Sequence, residues 1–341
     1  MDILQDVPLS HYSTMRLGGN AKFMCDANSP EELEEAVAWA KDKNLPVIVI
    51  GEGSNIFWHD AGYKGLVIVN KIMGFECIAQ DETSATYKLG AGEDWDGVVD
   101  KLVGLGLSGV ECLSLIPGKA GATPVQNVGA YGQEIADTLV VVHAYDDDKK
   151  QNVTITNKDC AFEYRTSRFK TTDKGRFFIS SIVLKLQKTM PSAPFYSSLQ
   201  AYLDHEEIYT YTPQIIRDAV VAIRSKKMPD WHTIANNGSF FANPVVSMED
   251  YEKLHKSFPN IAAWEYKGGY KLSAGWLLEQ AGLKGYHDAE TGMSTSEKTA
   301  LVFINENAKS TADLIKFKQK ITSKIKVMFG VELQQEPELI S

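Results

Sequence analysis

The run Gly118-Lys119-Ala120-Gly121-Ala122-Thr123-Pro124-Val125-Gln126-Asn127-Val128-Gly129-Ala130-Tyr131-Gly132, followed by Gln133 and Glu134, follows neither a helical nor a strand period. A packed helix or strand would repeat large apolar side chains about every 3.6 or 2 residues; small residues at this density mark backbone that approaches something closely. The glycines at 118, 121, 129 and 132 cost conformational entropy on folding, so their presence answers a need. One reading is a long surface loop, although such loops usually carry more charge and fewer alanines. The favoured reading is a cradle whose backbone N–H groups hold an anionic, planar ligand such as a nucleotide pyrophosphate.

A second glycine-rich turn lies upstream. Ser29-Pro30-Glu31-Glu32 has capping-box spacing with proline at the first helical position, and Leu33, Ala36, Val37 and Ala40 then recur on one face, which predicts a helix. Asn44-Leu45-Pro46 ends it, and Val47-Ile48-Val49-Ile50 reads as a strand buried on both faces. Gly51-Glu52-Gly53-Ser54-Asn55 follows at once. A Rossmann turn is weakly supported there, because the third glycine position holds Ile56 and no helical pattern follows; no Walker A sequence occurs either. Two glycine-rich turns in one α+β unit instead suggest a dinucleotide held between two lobes.

Further elements frame this unit. Leu66 to Val69 reads as a buried strand, Trp95, Val98, Val99 and Leu102 as one face of a helix that stops at Gly104 and Gly106, and Phe177 to Leu186 as another strand. Tyr196 to Tyr211 is polar and tyrosine-rich; a helix then opens at Thr212-Pro213 and ends at Met228-Pro229-Asp230, a domain boundary. Leu314, Phe317, Ile321, Ile325 and Met328 predict a helix capped by Thr311 and Gly330 and packed within the last domain.

The 341 residues allow two or three domains with substantial cores. A formal charge of −9 and a pI near 5.4 argue against nucleic acid or an anionic membrane surface as the main partner. The acidic start Met1-Asp2-Ile3-Leu4-Gln5-Asp6 lacks a signal-peptide core, and no apolar run approaches about 20 residues, so a cytoplasmic protein is expected. Cys25, Cys77, Cys112 and Cys160 are scattered and read as reduced, buried thiols. The seven histidines show no metal-ligand spacing, and no metal is expected.

Ser13-Thr14-Met15-Arg16-Leu17-Gly18-Gly19, the Gly51–Asn55 turn, Ile116-Pro117-Gly118 and Pro124 to Gly132 together resemble the UDP-N-acetylenolpyruvoylglucosamine reductases. The resemblance continues in order through Tyr164-Arg165-Thr166-Ser167-Arg168-Phe169-Lys170, Asn237-Gly238-Ser239-Phe240-Phe241-Ala242-Asn243-Pro244 and Ser273 to Gln280. It implies an α+β protein with a two-lobed FAD-binding domain of the p-cresol/vanillyl-alcohol oxidase type and a C-terminal α+β substrate-binding domain. The expected divisions are residues 1–75 and 76–228 for the FAD-binding lobes, with a tyrosine-bearing insertion near 190–212 that marks the longer class, 229–330 for the substrate domain, and 331–341 for a C-terminal strand returning to the active site.

The implied reaction, in peptidoglycan precursor synthesis, reduces an enolpyruvyl ether to a lactyl ether: NADPH gives hydride to non-covalent FAD, which passes it to the terminal vinyl carbon of a UDP-sugar. No His or Cys stands where a covalent tether to the flavin would be expected. The resemblance assigns FAD to Gly51, Glu52, Gly53, Ser54, Asn55, Pro117, Gly118, Gly121, Ala122, Gln126, Asn127, Gly129, Ala130 and Tyr131. Lys119-Ala120 departs from the small hydroxyl and aliphatic residues usual there.

Hydride addition builds charge on the substrate carboxylate as an enediolate, which needs cationic or hydrogen-bonding groups and one placed proton donor. Arg165 suits the first role, since a guanidinium matches a carboxylate bidentately. By resemblance Ser239 is the proton donor and Glu336, counted without a gap from Gly330, shares the stabilisation. In an extended terminal strand Glu336 and Glu338 would point to one face, so spacing within the family chooses between them. Lys227 and Asn243 match diphosphate positions, Tyr196 closes over the diphosphate, and Arg224 joins the substrate set. A monomer is expected. Two other readings compete: an FAD oxidase on the same fold, and a non-catalytic nucleotide-sugar sensor.

Overall fold

A computed structural model describes residues 1–341, which form two compact units, each drawing on separated segments. The first comprises Met1–Val7, Ala21–Glu52 and Lys64–Ser225; the second comprises Pro8–Asn20, Gly53–Tyr63 and Lys226–Ser341.

In the first unit a four-stranded sheet has the order Leu4–Pro8, Asn20–Ala27, Tyr63–Asn70, Val47–Ile50. Ser29 caps the Pro30–Asp42 helix by accepting from the Glu32 N–H at 3.2 Å, and Leu33, Ala36, Val37 and Ala40 bury its inner face. Val47–Ile50 pairs parallel with Leu66–Val69 at the sheet edge, and three of its four residues are only half-buried. The expected burial on both faces is thus corrected: its apolar run covers an edge. Leu66–Val69 is the fully covered strand.

Beside it stands an antiparallel five-stranded sheet in the order Gln151–Thr156, Leu139–Asp146, Phe177–Gln187, Ser84–Gly90, Phe75–Gln80. Only Phe177–Gln187 among these stands out in the sequence, because it is buried along most of its length. The edge strand Phe75–Gln80 is largely exposed and carries Cys77 at the surface, so the expectation of four buried thiols holds for Cys25, Cys112 and Cys160 only. Asp94 caps the Trp95–Gly104 helix, whose Trp95, Val98, Val99 and Leu102 pack with Ile182, Leu184 and Leu186 of the sheet.

The tyrosine-bearing insertion holds a helix, Ser197–His205, in a stretch that reads as polar and tyrosine-rich. Leu199 and Leu203 seat it against Ile216, Ala219 and Val220 of the Pro213–Lys227 helix, so two leucines suffice for its apolar stripe.

The second unit contains a four-stranded sheet, Asn236–Ser239, Val302–Asn305, Met293–Thr295, His287–Asp288, and a three-stranded one, Val245–Ser247, Gly269–Leu272, Ala263–Tyr266. Phe240 stacks on Phe303 at 4.3 Å within a core that includes Leu314, Phe317, Ile321 and Ile325 of the Thr311–Phe329 helix. That helix is capped by Ser310, which exchanges hydrogen bonds with Asp313, and not by Thr311 as expected; the Thr311 hydroxyl instead donates to the Trp58 carbonyl at 2.6 Å. Gly330 ends it at φ +71°, a left-handed cap that glycine adopts without strain. Beyond it only Glu338–Ile340 is a strand, parallel to Ile56–Trp58. Glu336 and Pro337 lie in a bend, so the alternation expected of an extended 331–341 strand does not apply to Glu336.

Candidate active site

In the first unit the two glycine-rich segments meet. A Cβ on Gly51 would lie 2.8 Å from Cγ of Lys119, so glycine is what lets the turn after Val47–Ile50 close against the 118–132 segment. Lys119 also sits 3.8 Å from Asp94, at the start of the Trp95–Gly104 helix. Gly118 (φ +125°) accepts from the Trp95 N–H at 3.0 Å, and Gly121 donates to the Ala91 carbonyl at 2.9 Å. The N–H groups of Ala120, Ala122, Thr123, Val125 and Val128 are likewise bonded to carbonyls of the chain. The segment therefore offers a ligand fewer N–H donors than its composition suggests, and Gly121 is explained by packing, since its Cβ would fall 2.4 Å from that of Ala91.

Asn127 is buried at φ +48° and locks the far end of the segment: its Nδ2 donates to Glu134 at 2.8 Å and to the Glu163 carbonyl at 3.1 Å, while its Oδ1 accepts from Ala136 N–H at 3.2 Å. Gly129–Ala130 and Gln133–Glu134 form a hairpin whose two turn residues, Tyr131 (φ +48°) and Gly132 (φ +87°), have the sign pattern of a type I′ turn. Arg165, itself at φ +55°, donates from Nη2 to the Gly129 carbonyl at 2.6 Å. A Cβ on Gly129 would stand 2.9 Å from both Arg165 Nη1 and Glu134 Cγ and 3.1 Å from the Gln133 carbonyl, so this glycine makes room for the guanidinium and for the hairpin itself.

Tyr131 meets Tyr196 edge to face, centroids 6.1 Å apart, and hydrogen-bonds Arg224. Burial raises the Tyr131 phenol above its ordinary range despite the nearby Arg224 charge. Burial also lowers the Arg224 guanidinium, with the Arg165 charge acting in the same direction. The side chain of Arg224 is only half-buried overall, but its Nε is enclosed and has no partner in the chain. Two neighbouring guanidinium groups with an open buried Nε on Arg224, flanked by tyrosine rings, are a donor set whose chemistry would fit the phosphates or carboxylate of a nucleotide ligand.

In the second unit the strand Asn236–Ser239 carries a register irregularity between its two ends where it pairs with Ile304 and Val302, of the kind that re-aims a side chain. Gly238 (φ +68°) donates to Asn236 Oδ1 at 2.9 Å and presents the half-buried Ser239. The following segment pairs with the C-terminal one: Glu336 N–H donates to the Phe240 carbonyl at 2.9 Å, and Ala242 N–H to the Gln334 carbonyl at 3.0 Å. Asn55 reaches the same place, its Nδ2 donating to the Glu336 carbonyl at 3.5 Å and its own carbonyl accepting from Glu338 N–H at 2.9 Å. Ser239, Glu336 and the Gly53-Ser54-Asn55 turn are thus neighbours through main-chain bonds.

Gly53 (φ +73°) has no room for a side chain, as a Cβ would meet the Tyr12 carbonyl at 2.1 Å. Lys227 is exposed at the end of its helix. Asn243 commits its Oδ1 to the Ala274 N–H at 3.0 Å. Arg165, Tyr131, Tyr196 and Arg224 therefore lie in the first unit, and Ser239, Glu336, Lys227 and Asn243 in the second.

Asn237 has no assigned role in the sequence reading. Buried, it donates from Nδ2 at 3.1 Å to Thr14 Oγ1 and to the carbonyls of Ser54 and Ile56, fastening the turn to the serine strand, while its Oδ1 lacks a partner in the chain. Its place beside Ser239 in a glycine-containing block is the one sequence signal for it.

Residues 21–151 match the family model of an FAD binding domain, and residues 229–340 that of the UDP-N-acetylenolpyruvoylglucosamine reductase C-terminal domain. The chain is 36% identical to the UDP-N-acetylenolpyruvoylglucosamine reductase of Alcanivorax borkumensis, over 99% of this chain and 96% of that one, and 36% identical to that of Ralstonia nicotianae, over 98% of each. Its fold is that of the crystal structure of the Thermus caldophilus reductase, with TM-score 0.68 at 21% identity over 100% of this chain and 98% of the other. Fold and sequence matches together define an FAD-dependent oxidoreductase with the architecture expected, an FAD-binding portion followed by a C-terminal α+β domain. The chain belongs to the UDP-N-acetylenolpyruvoylglucosamine reductases, enzymes of peptidoglycan precursor synthesis. The oxidase and sensor alternatives give way to this assignment. No helix is long and apolar enough to cross a membrane.

Proposed function

We propose that this chain reduces UDP-N-acetylglucosamine enolpyruvate to UDP-N-acetylmuramate with NADPH as hydride donor, as a cytoplasmic monomer. Bound non-covalently, FAD would supply hydride to the terminal vinyl carbon. Gly51 to Asn55 and the Pro117–Tyr131 segment would hold it, and the open Arg224 Nε near Tyr131 suits an anionic part of the ligands.

Arg165 neutralises the carboxylate on which negative charge develops, a role for which a cation that stays protonated is suited. Ser239 donates the proton that completes the reduction at the adjacent carbon. Glu336 shares the stabilisation of the enediolate. Lys227, Asn243, Tyr196 and Arg224 hold the sugar nucleotide. The observation that supports this reading is the main-chain bonding of Glu336 to Phe240, next to Ser239, and to Asn55, which brings Ser239, Glu336 and residues 53–55 close within one unit.

The test is anaerobic. Mixing the yellow protein with NADPH should bleach the flavin absorbance, and adding the enolpyruvyl sugar nucleotide should restore it. Colour returning only with oxygen would refute the reading. Acid precipitation should leave the flavin in the supernatant; flavin retained in the pellet would show a covalent tether.

The Arg165–Gly129 fit yields a further prediction. Gly129→Ala should displace both the Arg165 guanidinium and the Glu134 side chain, each 2.9 Å from the added Cβ, and crowd the Gln133 carbonyl at 3.1 Å, so thermal melting is recorded beside the rates. Stopped-flow measurement should find the flavin reduced by NADPH at its normal rate and reoxidised by the enolpyruvyl substrate up to about 10²-fold more slowly, the scale of a small misplacement of a catalytic group.

A further inference from the structure

We propose that Asp96 is a positioning residue for substrate binding, gripping the Leu115 peptide so that Arg224 is held for the sugar nucleotide; this rests on the reading of Arg224 as a substrate-binding residue. Asp96 is the second residue of the Trp95–Gly104 helix, and its carboxylate serves two masters. Oδ1 accepts from Arg217 Nη1 at 2.6 Å and from the Leu115 N–H at 2.6 Å, while Oδ2 accepts from Arg217 Nη2 at 3.1 Å. The Leu115 carbonyl in turn accepts from Arg224 Nη2 at 3.2 Å. One peptide unit on each side of Leu115 is therefore fastened, the N–H by Asp96 and the carbonyl by Arg224.

Leu115 needs this grip. It stands at φ +57°, a conformation that a leucine rarely adopts and that persists where the surroundings over-determine it. From there the chain enters Ile116-Pro117-Gly118 and the glycine-rich segment. Without an acceptor for its N–H, Leu115 would relax toward an ordinary backbone conformation and swing its carbonyl away from Arg224.

Arg217 and Arg224 are two helical turns apart on the Pro213–Lys227 helix and so share a face. Arg217, only 7% exposed, pairs with Asp96 bidentately and ties the helix down. An ion pair alone would do no more than that. The third bond, from Leu115 to Asp96, links the pair to Arg224 through hydrogen bonds, beside the direct attraction between the Asp96 and Arg224 charges. Asp100 supplies an internal control, since its Oδ1 accepts from Arg217 Nε at 2.9 Å and neither it nor that bond involves Leu115 or Arg224.

The experiment compares Asp96→Ala, Asp96→Asn and Asp100→Ala in the FAD-loaded enzyme. Perturbation of the oxidised flavin absorbance by the enolpyruvyl sugar nucleotide gives a dissociation constant without turnover, and thermal melting and steady-state rates are recorded alongside. Both alanine variants should melt earlier, but only Asp96→Ala should weaken binding, by about tenfold or more, the scale of a lost hydrogen bond to a charged group, with kcat within about threefold of wild type. Asp96→Asn keeps an acceptor for the Leu115 N–H and should recover most of the affinity.

Equal affinities in Asp96→Ala and wild type, or equal losses in the two alanine variants, would overturn the proposal. Should Asp96→Ala not fold, hydrogen exchange on the wild-type enzyme decides. Saturation with the sugar nucleotide should slow exchange of the Leu115 amide, because coupling between the two sites is reciprocal, and unchanged exchange would overturn the proposal. A wild-type flavin spectrum indifferent to the sugar nucleotide would instead refute the functional reading itself, and the proposal with it.

Discussion

Ser239→Ala is expected to leave flavin reduction by NADPH nearly intact and to slow reoxidation by the enolpyruvyl substrate by about 10² to 10⁴, the usual contribution of a positioned acid. The two half-reactions separate because only the second requires a proton at carbon. The local structure supports a clean result: Ser239 follows Gly238 in a strand whose pairing with Val302 and Ile304 is made by the main chain, so removing one hydroxyl leaves the backbone bonds in place. Stopped-flow absorbance under anaerobic conditions measures both rates. Equal slowing of the two would place the defect in folding or in flavin binding and remove Ser239 from the chemistry.

The second large effect distinguishes two carboxylates. Glu336→Gln should slow the same half-reaction by about 10² to 10³, the common cost of losing one charge-stabilising group from a preorganised site, while Glu338→Gln should change it little. Glu336 lies in a bend and is bonded through its main chain to both Phe240 and Asn55, whereas Glu338 belongs to the strand paired with Ile56–Trp58. The reverse pattern would move the role to Glu338. Two near-normal variants would leave the enediolate to Arg165 alone.

Helices announced themselves in the sequence wherever capping and period coincide, as at Ser29-Pro30 and again from Thr311 to Gly330. Ser197–His205 escaped notice because two leucines in a polar, tyrosine-rich segment make too narrow a stripe to read before its partner helix is known. The strands Phe75–Gln80 and Gln151–Thr156 lie at sheet edges, where exposure weakens the apolar signal.

The site was legible as motifs, and its internal logic was not. Gly121 and Gly129 read as places where a ligand comes close, and each also lies hard against the chain itself, Gly121 against Ala91 and Gly129 against Arg165, Glu134 and Gln133. The bonding of Glu336 to Phe240 and the fastening of the 54–56 turn by Asn237 join segments far apart in sequence, and no local pattern encodes such pairings. Asp96 likewise reads as an ordinary acidic residue in the first turn of a helix until Leu115 and Arg217 are seen around it.

The pairing of Ile56–Trp58 with Glu338–Ile340 bears on how the enzyme is made. The first strand leaves the ribosome early and must wait for nearly all of the remaining translation before its neighbour exists. Closing so long a loop is slow, and contacts of this kind form late in folding. Glu336 rides into place on the same closure. A nascent or truncated chain can therefore have its first glycine-rich turn and its serine strand and still have no carboxyl beside them; with the role proposed for Glu336, catalytic competence should appear in one step with completion of the fold. Released fragments ending before residue 336 should then add nothing to cellular activity.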